Sequence, residues 1–420
     1  WIVKDDGKIQ DAVHSAGDGD KILIKEGNYD DEPIIVKYHD DYDYHPGRKS
    51  YSIIGDTSGD LGSTVPEDRE LIDARRFHIR PEANGTTIRG FHLTSPDDNT
   101  DIAGIAIASL ELDFLFLVPN EDLEGDGYVK SKDNNIHFNE ISNHIIGVGL
   151  YLANDNTIGS TEYDYPDNYL HNNLFGVGLL GAEKLELPRR EWETDEIIVN
   201  ETFPMPTDGN YIGGNFIYDN YMGVGLLGAE ENTIEGNWVV GDDTNLDIGL
   251  GQSLFGIGIG GIQEISLNVY ADTDSLGVLP SRIELPGNNN SVLNNTVTDN
   301  CGFGVLLIGT EKNKVQNNSV SDNGIAGIAS IGLNEFSFDV AGLDNFYPED
   351  LPFEIISDPN PDDNITPFFS LKLPGNNNSI VENVVSDNEG IGIWLLGSGE
   401  NTLHNNQINK NGTAGIGIVG

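Results

Sequence analysis

The chain has 420 residues, with 69 Asp and Glu against 22 Lys and Arg and a formal net charge of −47 at pH 7. That field repels nucleic-acid phosphates and anionic membrane surfaces, and it favours solubility, bound cations or a salty medium. A single cysteine, Cys301, excludes an intrachain disulfide and any cysteine-based metal spacing, and no apolar run is long enough to span a bilayer.

The chain opens at Trp1 without a methionine, which points to a processed or trimmed start. Its first segments are IQDAVHSAGDGDKILIKEGNYDDEPIIV (9–36), SIIGD (52–56) and GTTIRGFHLTS (85–95). They resemble the start of right-handed parallel β-helix proteins of the pectin-lyase-like superfold, in particular the branch of periplasmic copper-binding or surface β-helix repeat proteins. The resemblance implies an all-β solenoid whose first end is capped by a short helix, here Ile9 to Ala16. Residues 1–36 are then cap and first strands, and 37–420 the solenoid body. A cap is expected on physical grounds, because an open end coil invites edge-to-edge pairing. The resemblance carries little about function, since this fold serves lyases, hydrolases, epimerases, adhesins and scaffolds alike.

From about residue 133 four units open at Asp133, Asp208, Gly287 and Gly375 with asparagine-rich phrases such as GNNNSVLNNTVTDN and GNNNSIVENVVSDN. Each phrase leads into a glycine-punctuated apolar strand, such as GVGLLGAEEN or GIGIWLLGSGEN, followed by a second, similar turn of chain. Uninterrupted turns recur every 22 to 25 residues or so, a period that belongs to solenoids, and the strands alternate with period two, which excludes helix for the body. Asparagine accounts for the bends: it tolerates left-handed backbone, bonds local backbone groups, and stacks over its equivalent in the next coil. One expected stack holds Asn156, Asn232, Asn313 and Asn401; another holds Asn143, Asn220, Asn300 and Asn388.

Every second coil is interrupted after its glycine-punctuated strand, at about 108–133, 182–209, 261–286 and 332–374. These insertions contain alternating stretches of their own, so they predict a second layer of short strands along one side of the solenoid. Within the first, DLEGDGYVKSKD resembles an EF-hand or dockerin calcium loop, with Asp122, Glu124, Asp126 and Asp133 at oxygen-ligand positions, Gly127 at the sharp turn and Tyr128 offering its carbonyl. It departs from that pattern at Glu124, at Asp133 in place of the closing Glu, and in lacking flanking helices. A second alternation of oxygens is Asp358, Asn360 and Asp362. Calcium is the expected cation. Copper is not expected, because two methionines and nine dispersed histidines form no soft-ligand group, and His137, His144 and His171 read as bend or surface residues.

Enzymatic signals are weak in the sequence. After Arg89 the remaining arginines, Arg189, Arg190 and Arg282, all fall in insertions, and the acidic field opposes uronate chains. Glu230, Glu231, Glu311 and Glu400 recur with the repeat, whereas a catalytic constellation would break it. The fourth unit ends at Gly420 without a recognisable cap, so the expectation is further chain or a covering molecule. The sequence therefore reads as an exported, non-catalytic structural protein: an acidic, calcium-stiffened rod of a cell-surface layer, sheath, filament or adhesive matrix. It would self-associate through insertions and solenoid ends and contact surface glycans. The alternatives are a polysaccharide lyase, epimerase or hydrolase of this fold, and a glycan-binding adhesin.

Overall fold

A computed structural model describes residues 1–4, 7–25, 29, 34–36, 50–55, 72–74, 76–79, 83–95, 102–108, 131–162, 165–190, 197–241, 253–270, 278–339 and 368–420. Three long parallel sheets, here A, B and C, hold 12, 10 and 11 strands. One coil visits them in turn, as in Asn135–His137 (A), Glu140–Ser142 (B) and Ile146–Tyr151 (C), before the next coil begins at Thr157–Ile158. The expected helix is present at Ile9–Ser15, and its Ile9 and Val13 are buried against the first coils.

The period-two pattern becomes columns of like side chains inside the coil. Ile136, Ile158, Ile212, Ile234, Val292, Val315 and Ile380 stack in sheet A, and Ile141, Leu170, Ile217, Val239, Val297, Val320 and Val385 in sheet B, all buried. Sheet C carries the parallel column Val148, Val177, Val224, Ile257, Val305, Ile328 and Ile393. β-Branched side chains fit a pleated, stacked surface, and each such burial contributes about 1.5–3 kcal/mol.

At the corners the structure refines the expected role of asparagine. The residue with left-handed backbone is the one before each stacked amide: Asp155 (φ 56°) before Asn156, Glu231 (φ 55°) before Asn232, Lys312 (φ 58°) before Asn313, Asp387 (φ 58°) before Asn388. The stacked asparagine itself points inward and is buried. Asn237 shows the arrangement in full. Its Oδ1 accepts from Asn215 N and Nδ2, each at 3.0 Å. Its Nδ2 donates to Ile212 O at 2.9 Å and to Asn295 Oδ1 at 3.0 Å. Each amide therefore joins the coils on either side.

All three corners carry such a column. Asn134, Asn156, Asn210, Asn232, Asn290, Asn313, Asn378 and Asn401 lie before sheet A. Asn139, Asn168, Asn215, Asn237, Asn295, Asn318, Asn383 and Asn406 stand between A and B, a column the sequence reading did not separate. Between B and C the order is His144, Asn173, Asn220, then Asn300, Asn323, Asn388 and Asn411. Asn143 is not a member: it is the exposed left-handed residue (φ 61°), and His144 takes the rung by donating its backbone N–H to Asn173 Oδ1.

Three insertions build the expected side layer. Their strands form one six-stranded antiparallel sheet in the order Ile197–Met205, Ala182–Arg190, Val278–Leu285, Ile262–Tyr270, Phe368–Leu373, Leu333–Asp339. Ile283 and Leu285 pack on Leu152 and Ala182 beside the solenoid, and Lys372 Nζ lies 3.3 Å from Glu264 Oε2 across neighbouring hairpins. Of the first insertion, Ser131–Lys132 pairs in parallel with Ala153–Asn154, and residues 109–130 lie outside the described residues.

Two expectations follow. Asn237→Ala leaves Asn215 N and Nδ2 without their acceptor, so urea unfolding is expected to show a loss of about 2–4 kcal/mol, whereas Asn143→Gly, which suits the left-handed backbone there, changes stability by less than about 1 kcal/mol. Glu230 is the second. Burial raises its carboxyl to about 7, with Asp208, Glu183 and Glu231 adding repulsion and the Asn288 N–H opposing the shift. A carboxyl with a raised folded pKa favours the folded state in acid, and that contribution is lost as pH rises from 4.5 through about 7. Glu230→Gln should flatten the decline of the urea midpoint across that window; an unchanged slope would remove Glu230 as its source.

Candidate functional site

The regularity of the coil makes departures from it easy to locate. Most A-to-B corners consist of one left-handed residue and one stacked asparagine, as in Gly214–Asn215 and Gly236–Asn237. The corner between Ser52–Gly55 and Ile72–Ala74 spans residues 56–71, outside the described residues; among the described corners one differs, where between Gly159 and Asn168 the chain inserts residues 160–167. This loop folds along the corner toward the following coils. A Cβ on Gly214 would collide with the Ser160 carbonyl, and one on Gly236 would lie 2.8 Å from Thr161 Cγ2, so glycine at both positions lets the loop approach.

Where the loop returns, Asp167 is fully buried. Its Oδ1 accepts from Phe138 N at 2.7 Å, and its Oδ2 lies 3.1 Å from His137 Nδ1. His137 keeps part of its ring in solvent, with a side-chain exposure of 23%. In the adjacent coil Arg89 pairs with His137 in register, and its guanidinium carbon lies 5.3 Å from the Phe138 ring centroid. Arg89 Nε is buried without a hydrogen-bond partner. The outward row of sheet A at this corner thus runs Arg89, His137, Gly159, Gly213, Glu235.

On the neighbouring face of sheet B the row Glu140, Tyr169, Phe216, Trp238 continues as Thr296, Ser319 and Val384, so its aromatic stretch is confined to a few coils. Phe216 meets Tyr169, Tyr218 and Trp238 at ring distances of 5.8, 4.8 and 6.1 Å. His171 stacks on Tyr218 at 4.7 Å and lies 3.1 Å from Glu140 Oε1. A cleft of about 340 Å³ opens beside Trp238, between Thr161, Tyr165 and Pro166 of the loop and Glu235, Gly236 and Asn294 of the coils. Tyr211 OH lies 3.0 Å from Thr161 Oγ1, and burial raises the phenol's pKa, with the Thr161 contact pulling it down.

A second concavity among the described residues is a groove of about 440 Å³ on the outside of sheet C, lined by Phe175, Met222, Phe255, Leu180 and Leu227 over Gly178, Gly225 and Gly258. Its lining is apolar side chains and glycines apart from Tyr151, so it supplies almost no group to bind hydroxyls or move a proton. The chemistry is concentrated at the A–B corner.

Of the expected calcium ligands, Asp122, Glu124, Asp126 and Tyr128 lie outside the described residues, as do Asp358, Asn360 and Asp362. Asp133 is described: it is an exposed left-handed corner residue (φ 60°), 3.6 Å from Lys132 Nζ. Among the described residues no group of three or more His, Cys, Asp or Glu is placed to hold a metal. The sequence reading passed over His137 and His171 because their carboxylate partners are 30 and 31 residues away. The signal available was the length of the corner: residues 160–167 lengthen a turn that takes two residues in the coils on either side, at 138–139 and 214–215.

Residues 202–335 match the family model described as periplasmic copper-binding protein (NosD), and residues 362–420 match the right-handed β-helix region model. Among the described residues the donors do not fit copper: His92, His137 and His171 each face a carboxylate on a different coil, and no group of metal-holding side chains is formed. No curated protein matches the sequence. Solved structures similar to this chain include the periplasmic alginate epimerase AlgG, at 14% identity over 97% of this chain and 83% of that one, TM-score 0.41. The mannuronan C-5 epimerase AlgE6 A-module of Azotobacter vinelandii is similar at 12% identity, over 98% and 92%, TM-score 0.39. An alginate lyase from Paenibacillus sp. str. FPU-7 is similar at 11% identity, over 98% of both chains, TM-score 0.35. The expectation that the chain is not an enzyme is corrected here, because these neighbours of the same fold are epimerases and a lyase. The expectation that nothing breaks the repeat is corrected too, by His137, Asp167 and the loop between 160 and 167. Parallel three-sheet coils, stacked corner amides and the matches to both family models together make this chain a right-handed parallel β-helix protein.

Proposed function

We propose that this is a periplasmic or extracellular β-helix protein that acts on a polysaccharide by proton transfer at the A–B corner, with His137 as the base. The observation that carries the reading is the His137–Asp167 pair. A buried carboxylate on Nδ1 fixes the imidazole's orientation and tautomer, and leaves Nε2 with a lone pair and no other partner among the described residues. That is the arrangement of a general base.

Arg89, one coil away in the same row, selects the substrate. Its fixed charge suits a carboxylate, and a bound carboxylate acidifies the neighbouring C–H. His137 Nε2 would take that proton, and the electron pair left on carbon would delocalise into the Arg89-held carboxylate. Return of a proton to the opposite face gives the epimer. Loss of the sugar oxygen on the adjacent carbon instead gives a chain break and a double bond. Both outcomes balance without an oxidant or reductant. The net charge of −47 opposes an anionic chain over long range, and salt shortens that repulsion to about 3 Å at 1 M while leaving the Arg89 contact in place.

The test is solvent-deuterium incorporation into uronate polysaccharides in concentrated salt. Wild-type protein should exchange deuterium into the polymer or release an unsaturated product. His137→Asn should lower that rate by about 10²–10⁴, with a smaller loss for Asp167→Asn. Exchange at an equal rate in His137→Asn, or none with any uronate polymer, would sink the assignment.

A further inference from the structure

We infer that the cleft beside Trp238 is a binding subsite for a neutral sugar residue, three coils along the row from His137. The placement relative to a reacting centre rests on the function proposed above; the cleft itself does not.

Its walls come from separate parts of the chain. The loop supplies Thr161, Tyr165 and Pro166, and the next coils supply Glu235, Trp238 and Asn294. Trp238 is 54% exposed although Phe216 braces it edge to face from the coil before, so its ring is held in place while presenting area to solvent. A rigid aromatic face of that kind takes the C–H face of a sugar ring at little entropic cost. Asn294 Nδ2 donates to Glu235 Oε1 at 2.9 Å, which fixes both groups. The amide oxygen of Asn294 has no other bond among the described residues, and the carboxylate retains acceptor capacity, so the pair suits vicinal hydroxyls. The volume of about 340 Å³ is that of a small-molecule pocket.

Charge narrows the ligand. Among the described residues none lining the cleft is Lys, Arg or His, while Glu235 is acidic. A uronate carboxylate would meet repulsion there, in contrast to the surroundings of Arg89. From His137 through Gly159 and Gly213 to Glu235 is three coil steps, about 14 Å at ~4.8 Å per step. The row therefore reads a chain carrying a carboxylate near Arg89 and a neutral unit near Trp238, the pattern of a mixed heteropolysaccharide.

Isothermal titration calorimetry on the full chain distinguishes the possibilities, using neutral tetrasaccharides of glucose, mannose and galactose beside uronate tetrasaccharides. At least one neutral tetramer should bind, and Trp238→Ala and Glu235→Gln should each weaken it about tenfold or more. Trp238 is exposed enough for its replacement to leave the fold intact, which a urea midpoint equal to wild type would verify. Binding of no neutral tetramer, binding indifferent to Trp238→Ala, or tighter Trp238-dependent binding of uronates would each overturn the inference. Trp238-dependent neutral binding in a protein that exchanges no deuterium would discard the proton-transfer reading and leave the subsite standing.

Discussion

The structure depends on satisfying the backbone at its corners. Parallel strands bond their neighbours along each sheet, but every bend swings backbone groups out of that pattern and into the interior, where an unmet donor or acceptor costs about 1–3 kcal/mol. A primary amide placed just after the left-handed residue meets this demand from both sides. Its oxygen takes an N–H from the coil before, and its nitrogen reaches the coil after, as Asn237 does between Asn215 and Asn295. Leucine or serine cannot do both. The asparagine columns and the aliphatic columns are thus two consequences of one stacking geometry, one polar and one apolar.

A lattice this regular turns irregularity into information. Replacing a two-residue corner by residues 160–167 costs chain entropy and forces glycine at positions 214 and 236. What the loop delivers in return is specific: a buried carboxylate behind His137, and one wall of the cleft that Trp238 closes from the other side. Histidine–carboxylate pairs, aromatics and the unpaired Arg89 gather on the same few coils, while the later coils carry Thr, Ser and Val at the equivalent positions.

The two flanks of the solenoid have diverged in chemistry. The outer face of sheet C is apolar, with glycines letting Phe175 and Met222 lie over their neighbours. The A–B corner is mixed: aromatic, acidic, and basic at Arg89. In a molecule with 69 acidic residues Arg89 stands one coil from the His137–Asp167 pair, and at that range local contacts outweigh the overall field.

The period of 22 to 25 residues, the alternating aliphatic positions and the amide-bearing bends are local properties, so the sequence alone determined a stacked coil and its strand-bearing insertions, while the helix near Ile9 was implied by the resemblance of the first segments to β-helix proteins. It also determined which residues recur, but Asn143 and His144 show that a shift of one position at a bend exchanges an exposed left-handed residue for a buried rung. Tertiary structure alone decided the site. His137 meets Asp167 across 30 residues and Glu235 meets Asn294 across 59, because each coil rises by one strand spacing regardless of how much chain the corners and insertions consume. Separation in sequence therefore carries no measure of separation in space for these groups, and only the register of the stacked coils brings them together.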